Sequence, residues 1–518
     1  MILPNLAAFW HNAVAQYPRS VAVIDGDRAL TYAEADQLIA RLAAYFADTA
    51  GVRAGDRVLL ALPNCLEFIL AYWATIRLGA VVAPVNTRLR ADELQYVLRN
   101  CDPKVAIVHA QTQEAILTGL LAEGLLPHLL GVQTTGDITP FSAALSRVPE
   151  GRSCPQAGVS TPAELRPGDL AVILHTSGTT GVPKGAMMRH SDLVFNNHQA
   201  ILAHSLRHED LHLLVIPCFA PTASYSLLGS CAYLGCGIAI APRPNPSDLL
   251  ALLSRHACST FIGVPTMFHL MTQEPGFNAA ELPSLRLIAY SGSPMPARTI
   301  RLLRERFPHV SLHNFFGLTE TTSITHVLPS KDADTRADSI GKLLPEVHAK
   351  IVDDNDQPVP VGEVGELCLH RSNVIPGYYN RPGLLEESIR GEWFHTGDFA
   401  RVDEDGYFYV QGRKKEMIIV AGQNVYAHEV EKVILQHDGV RDVAVVGIPA
   451  TGVRAALGEL VKAVVVCQPD TTLRALDIKR HCSLCLPSYK VPQVVEFRDD
   501  LPRNPTGKVL KRELTNNA

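Results

Sequence analysis

Neither sign of charge prevails in this chain of 518 residues, where 47 Lys and Arg stand against 52 Asp and Glu. The formal net charge of −5 leaves no basic footprint, so no nucleic-acid partner is expected. A disulfide framework is also missing. The eleven cysteines are odd in number and scattered, a usage that fits free thiols in a reducing compartment. Met1 to Ala15 lack the basic-then-apolar layout of a signal peptide, and Leu514-Thr515-Asn516-Asn517-Ala518 is no peroxisomal address. Long apolar runs are broken. Leu213 to Pro242 carries no charge, but Pro217, Pro221, Gly229, Gly235 and Gly237 interrupt it, whereas a spanning helix needs about 20 apolar residues in a row. That stretch is expected to be buried core, and the protein to be cytoplasmic with no membrane span. No internal repeat or low-complexity tract is present.

With 47% hydrophobic and 19% charged residues the chain reads as globular, and its length calls for two or three domains. Val21-Ala22-Val23-Ile24 predicts a strand, and Thr31 an N-cap for a helix whose Leu38, Leu42, Ala43 and Phe46 share a face. Val58 to Leu62, then Glu67 to Leu78, then Ala80 to Pro84 read strand, helix, strand. That alternation implies a parallel, helix-covered sheet and an α/β fold. It returns with a helix around Leu249 to Arg255, strands at Phe261–Val264 and Leu285–Tyr290, and a helix at Pro296–Phe307. From about Gly341 short strands and turns take over, with strands at 349–352, 366–369 and 407–410, the signature of a β-rich subdomain. A fresh α+β pattern follows Arg413, with a helix at Ala427–Gln436 and strands at 443–446 and 461–467. The expected domains are therefore 1–412 and a small C-terminal domain, 413–518.

The most informative stretch is Thr176-Ser177-Gly178-Thr179-Thr180-Gly181-Val182-Pro183-Lys184-Gly185, directly after the apolar run Leu170 to Leu174. Glycines let backbone N–H groups turn toward an anion, hydroxyls add donors and a lysine adds a point charge, so the loop suits phosphate. It is not a Walker loop, because Val182-Pro183 separates Gly181 from Lys184. Taken alone, an ordinary Gly/Thr turn explains it equally well.

Four further motifs follow in order: Asn314-Phe315-Phe316-Gly317-Leu318-Thr319-Glu320, then His395-Thr396-Gly397-Asp398, then Gly412-Arg413, then Asn504-Pro505-Thr506-Gly507-Lys508. The set resembles the adenylate-forming superfamily of acyl-CoA synthetases, carrier-protein adenylation domains and beetle luciferases, in collinear order over almost the whole chain. The resemblance implies ATP, Mg2+ and CoA as cofactors. It places Thr176, Ser177, Gly178, Thr179, Thr180 and Lys184 on the phosphates. Gly292, Asn314, Phe315, Phe316 and Gly317 fall about the nucleotide, with Phe316 stacked on adenine. Thr319 reaches the phosphates, Glu320 holds magnesium, Asp398 accepts from the ribose hydroxyls, and Arg413 reaches ribose or phosphate. Lys508 becomes the catalytic lysine, Lys415 the hinge of a mobile C-terminal lid, and Gly422 a lining residue of the CoA tunnel, with Arg243 a more remote CoA contact. Two steps are implied: acid and ATP give acyl-adenylate and pyrophosphate, then a thiol displaces AMP. Alternatives remain in an enzyme that loads the phosphopantetheine of an acyl carrier protein, and in a non-catalytic nucleotide- or acyl-binding relative. Retention of Lys184, Glu320, Asp398, Arg413 and Lys508 together speaks against the latter.

The same resemblance assigns the acid pocket to Ala220, Ser224, Ser291, Gly292, Phe315 and Gly317. Amino-acid-activating members place an aspartate in the 216–229 stretch to pair the substrate ammonium. None stands here, and a buried unpaired ammonium is costly. No Arg or Lys lies there either, so an apolar acyl or aromatic acid is expected. Phe315 replaces a residue that is often small in aryl-CoA ligases and reshapes the pocket. Cys482-Ser483-Leu484-Cys485 lacks a second pair for zinc, Asp353-Asp354-Asn355-Asp356 lacks the glycine and closing glutamate of a calcium loop, and Asp403-Glu404-Asp405-Gly406 predicts a hairpin turn.

Overall fold

A capped amphipathic helix and a largely apolar one begin the architecture. In the helix Tyr32–Asp48, the Thr31 side chain accepts from the Glu34 backbone while the Glu34 carboxylate accepts from the Thr31 N–H, satisfying end groups that the helix itself leaves open. Its neighbour Leu66–Arg77 has charge only near its ends, at Glu67 and Arg77, and every residue from Phe68 to Ile76 is buried. Such a helix must lie between layers. Its side chains join one core with Val58, Leu60 and Val82 of one sheet and Leu214, Ile238 and Ile240 of another. Each large side chain fully buried there contributes roughly 1.5–3 kcal/mol.

The protein is seen in a computed structural model that describes residues 5–146, 165–177, 183–242, 245–293, 295–450, 457–469, 471–503 and 509–515. Two large sheets flank the buried helix. The nine-stranded sheet runs Lys342–Leu343, His326–Leu328, Ser311–Phe316, Leu287–Tyr290, Thr260–Gly263, Leu211–Leu214, Gly237–Ile240, Val21–Asp25 and Arg28–Thr31. Its six central strands are mutually parallel. The seven-stranded sheet runs Thr139–Pro140, His128–Val132, Val105–His109, Arg57–Ala61, Val81–Pro84, Leu170–Ser177 and Pro183–Arg189. It is parallel up to the final hairpin. A five-stranded antiparallel sheet, built on Ala349–Val352, Gly365–His370 and Trp393–Val402, is the β-rich portion expected after Gly341.

The C-terminal region has its own three-stranded sheet, Val440–Pro449, Glu459–Cys467 and Val494–Phe497. Helices Ala427–Ile434 and Ala475–Ser483 pack on one face in a core of their own, and Leu501 and Leu514 belong to a core on the other. The Lys511 ammonium lies 2.8 Å from Glu431 and 3.4 Å from Glu416. Although burial opposes it, that cation holds the Glu431 carboxyl down to about 2. The fold is thus α/β with a smaller C-terminal domain.

Differences from the expected elements sit at their ends. The strand read to Val264 stops at Gly263, because Val264 caps the helix Pro265–Gln273. The helix read to Gln436 ends at Ile434. Asp403 to Gly406 is a turn as expected: the Gly406 N–H donates to the Asp403 carbonyl at 2.9 Å, joining Trp393–Val402 to Phe408–Arg413. Asp353 Oδ1 is engaged by the N–H groups of Asn355 and Gln357, an Asx-type turn. Cys482 is buried while Cys485 is exposed, and both are free thiols. Among the described residues no helix is long and apolar enough to cross a membrane.

Candidate functional site

The parallel strands end side by side. Register sets Gly263 opposite Tyr290, and Tyr290 opposite Asn314. The chain therefore leaves the nine-stranded sheet at one edge as Ser291-Gly292, as Gly317 to Glu320, and as the segment after Leu214. The carboxyl ends of adjacent parallel strands are where an open α/β sheet leaves a ligand crevice.

Strand alternation separates the two phenylalanines expected at the nucleotide. Phe315 is buried against His204, ring centroids 5.2 Å apart. Phe316 points to the opposite face, 5.7 Å from the His326 ring, and packs on the small-sheet cluster of Ile351, Leu367, Ala400 and Phe408. Phe316 thus lies against the sheet that carries Asp398, whereas Phe315 lies in the main core. Asn314 is buried and donates its amide to the Ser339 carbonyl at 2.8 Å, which makes it a brace for the strand.

After Phe316 the chain doubles back sharply. A Cβ on Gly317 would stand 1.1 Å from the Ser323 carbonyl oxygen, so only glycine fits. The Thr325 N–H donates to the Phe316 carbonyl at 2.8 Å and closes the loop, while Thr322 and Ser323 take φ of 56° and 104°. Left-handed backbone at non-glycine residues costs about 1–3 kcal/mol each, and such strain gathers at functional sites. The loop's outer turn, Thr319–Thr321, presents Thr319 and Glu320 half-exposed.

The expected phosphate loop is flanked by two antiparallel strands, Leu170–Ser177 and Pro183–Arg189. Thr176 stands opposite Lys184, and Ser177 opposite Pro183. Gly178, Thr179 and Thr180 lie outside the described residues. Lys184 is therefore a strand residue, with its Nζ 5.1 Å above the ring of Tyr378. The Tyr378 hydroxyl donates to Glu320 Oε1 at 2.6 Å. Lys184 and Glu320, 136 positions apart in the sequence, meet across one phenol.

Asp398 and Arg413 are cross-strand partners, joined by Arg413 Nε to Asp398 Oδ1 at 2.9 Å. Gly397, at φ 72°, turns the strand so that its N–H reaches Glu366 Oε1 at 3.1 Å. Lys415 is exposed on the short turn Lys414–Glu416. Its neighbour Lys414 is tied to Asp354 at 3.0 Å and Glu366 at 3.2 Å. Gly422 is exposed at the tip of the hairpin formed by Ile418–Val420 and Gln423–Val425. Lys508 and Arg243 lie outside the described residues.

Among the residues expected to line the acid pocket, Ala220 is buried and the Ser224 hydroxyl, also buried, donates to the Cys218 carbonyl. Thr222–Leu227 is a π-helix, a wide winding frequent at functional sites. Gly292, at φ 90°, is open, with no atom of the described residues beyond its chain neighbours within 4 Å of where a Cβ would stand. Behind Phe315, His204 and His313 approach through their Nδ1 atoms at 3.4 Å. Burial, with the neighbouring imidazoles and Arg286 adding to it, pushes His204 well below its ordinary value, and burial brings His313 to about 4. Both rings are neutral at pH 7.

Four contributors escaped sequence reading. Tyr378 sits in Gly377-Tyr378-Tyr379-Asn380-Arg381-Pro382, whose aromatic–polar mixture outside any periodic element was the available signal. His204 and His313 left no signal, since one lies in a helix and the other in a strand. His175, one residue before Thr176, has its Nε2 2.9 Å from Asn100 Oδ1. The Asn100 amide donates to the Tyr379 carbonyl at 3.3 Å, which leaves His175 Nε2 as the donor. Burial lowers His175 to about 4, so it too is neutral.

The family described as AMP-binding enzyme matches residues 9–379, and the AMP-binding enzyme C-terminal domain matches 429–508. A long-chain-fatty-acid–CoA ligase of Escherichia coli is 32% identical over 543 residues, covering 99% of this chain and 94% of that one. A feruloyl-CoA synthase of an Amycolatopsis species is 33% identical over 502 residues, with 96% of each covered. Among solved structures, the anthranilate CoA ligase AuaEII in complex with anthranoyl-AMP superposes with a TM-score of 0.89 at 26% identity, covering 99% of this chain and 97% of that one. ATP-bound MatB from Rhodopseudomonas palustris gives 0.87 at 28% identity, covering 99% and 98%.

Proposed function

From the premise that this chain belongs to the AMP-binding enzyme family and is an AMP-forming acid–thiol ligase, we propose that its acid is an apolar acyl or aromatic carboxylate, activated by ATP and passed to CoA. The observation that carries the acid class is the character of the acid side. The described stretch 216–229 holds no charged residue, and the histidines behind Phe315 are neutral. Neither an ammonium nor a second carboxylate would find a counter-charge there, and burying either unpaired is costly.

In the first half-reaction the substrate carboxylate oxygen attacks the α-phosphorus of ATP and the bond to the pyrophosphate oxygen breaks. The hairpin with Thr176 and Lys184 binds the leaving β- and γ-phosphates. Asp398, held by Arg413, accepts from the ribose hydroxyls, and Phe316 offers the adenine a flat apolar face. Lys508 orients the acid against the α-phosphate and offsets charge that develops in the transition state. Glu320 is the carboxylate for magnesium. It is half-exposed beside Thr319, and a lone carboxylate suits Mg2+, which keeps several waters and uses one or two carboxylates with the substrate phosphates. When bound, the ion neutralises charge on the phosphate oxygens. In the second half-reaction the thiol displaces AMP after the domain beyond residue 412 turns about Lys415, with Gly422 beside the CoA tunnel.

The test is ATP–pyrophosphate exchange with a panel of carboxylic acids, followed by CoA or an acyl carrier protein as acceptor. Exchange with aryl or alkyl monocarboxylates and a CoA thioester product is expected. Exchange confined to amino acids or dicarboxylates would overturn the acid class, and a product formed only on carrier protein would change the acceptor. Within that panel, Phe315→Ala is expected to move the preference toward acids longer by two or more carbons. The ratio of kcat/KM values should change by about tenfold or more, given what a pocket methylene is worth. An unchanged profile in a protein that melts as a folded enzyme would remove Phe315 from the pocket; Phe315→Leu supplies the milder step.

A further inference from the structure

One short segment holds both sides of the phosphate site. The Ile375 N–H donates to the Glu320 carbonyl oxygen at 2.9 Å, and three residues later the Tyr378 hydroxyl donates to the Glu320 carboxylate at 2.6 Å. The same segment is laced to the strand that carries Lys184. The Met187 N–H donates to the Gly377 carbonyl at 3.1 Å, the Tyr379 N–H donates to the Gly185 carbonyl at 2.7 Å, and Ala186 and Tyr378 form a β-bridge. The phenol ring lies under the Lys184 ammonium. From behind, Asn100 donates to the Tyr379 carbonyl and accepts, through its own carbonyl, from the Asn380 amide at 2.9 Å. Tyr378 is 6% exposed, so its ring has no freedom to swing away.

We propose that Tyr378 is a positioning residue of the phosphate site. Its hydroxyl engages one oxygen of Glu320 so that the other is presented to the divalent cation, and its ring seats the Lys184 ammonium. A divalent cation on Glu320 would then act on the departing pyrophosphate together with the Lys184 charge. The inference rests on the ligase reading of this site and adds a residue to it.

The physical need is specific. Mg2+ demands near-ideal octahedral geometry and loses water reluctantly, so a carboxylate that is already oriented binds it better than one free to rotate. A carboxylate accepts only, with about four lone-pair positions, and one phenol donor leaves room for a metal on the other oxygen. A neutral phenol is a hydrogen-bond donor, and the 2.6 Å approach to Glu320 Oε1 is that donation. The π face of the ring is electron-rich and favours a cation above it. A single side chain thus acts on an anion through its edge and on a cation through its face.

The experiment compares Tyr378→Phe, which keeps the ring and removes the hydroxyl, with Tyr378→Leu, which removes both. Mn2+ is titrated by electron paramagnetic resonance against each enzyme with ATP and no acid, and the Mg2+ dependence of exchange is measured separately. For Tyr378→Phe we expect Mn2+ affinity about tenfold weaker and the half-saturating Mg2+ about tenfold higher, as for other loss of a metal ligand's supporting hydrogen bond. The KM for the acid and thioester formation from preformed acyl-adenylate should stay at wild-type values. Tyr378→Leu should in addition raise the KM for ATP. Since Tyr378 acts through Glu320, Tyr378→Phe should add almost nothing to the Mn2+ loss already caused by Glu320→Gln. Unaltered Mn2+ affinity in Tyr378→Phe, or additive losses in the double variant, would overturn the proposal. Absence of acid-dependent exchange in the wild type would instead defeat the ligase reading, and the Mn2+ titration would still decide the role of Tyr378.

Discussion

Alanine at position 317 is expected to abolish acid-dependent exchange and to lower stability by about 3 kcal/mol or more, the upper end of what forced overpacking costs. The reason is contact, since the new methyl group would stand 1.1 Å from the Ser323 carbonyl oxygen and 2.9 Å from the Ile324 nitrogen, both main-chain atoms. A flexible side chain could move aside; backbone held by its own hydrogen bonds cannot do so cheaply. The Ser323 N–H donates to the Leu318 carbonyl at 3.0 Å, and the Ile324 N–H donates to the buried Asn196 side chain at 3.2 Å. The loop must therefore open, and Thr319 and Glu320 ride on it. Denaturant unfolding and nucleotide binding check the two parts of the effect. A Gly317→Ala enzyme that melts and exchanges like wild type would show that the loop is not as tightly closed as its geometry requires.

Lys508→Ala is expected to lower exchange by roughly 10²–10³-fold, the effect of removing one preorganised electrostatic contact to a developing charge. Thioester formation from preformed acyl-adenylate should be largely kept. The lysine itself lies outside the described residues, but the residues on either side of it are paired. Arg503 and Val509 form an antiparallel bridge, and the Leu510 N–H donates to the Pro502 carbonyl at 2.7 Å. The next lysine along is no substitute, because the Lys511 ammonium is already engaged by Glu431 and Glu416. A generic basic tail would tolerate loss of one charge among several. Quantitative comparison of the two half-reactions separates these cases, and equal losses in both, or no loss in exchange, would remove Lys508 from the catalytic role.

Much of this molecule was legible in local pattern. The strand–helix–strand alternation from Val58 to Pro84 appears as Arg57–Ala61, Leu66–Arg77 and Val81–Pro84, because parallel strands buried on both faces leave continuous apolar runs. The uncharged stretch from Leu213 to Pro242 is largely buried, with strands Leu211–Leu214 and Gly237–Ile240 adjacent in the nine-stranded sheet. Family motifs named Glu320, Asp398 and Arg413, and the cross-strand pairing of the last two followed from a hairpin whose turn, Asp403 to Gly406, was itself readable. Segments defined by neither period nor motif were not legible. Gly377 to Pro382 forms no regular element, yet it is where Glu320 and the Lys184 strand are joined.

Residue types, their order and their spacing determined on their own that the chain is α/β, that it carries the motifs of an adenylate-forming enzyme, and that its stretch 216–229 lacks charge. Those features are written in one dimension, since turns, strands and phosphate loops are built from neighbours. Tertiary structure alone decided that Phe315 and Phe316 face opposite ways into different cores, that His204 and His313 stand neutral behind the first of them, and that Tyr378 bridges Lys184 and Glu320. Each of these depends on contacts between residues 58 or more positions apart or on the face a strand turns toward its neighbour. Burial and through-space charge act over ångströms, so only the folded chain brings them into effect.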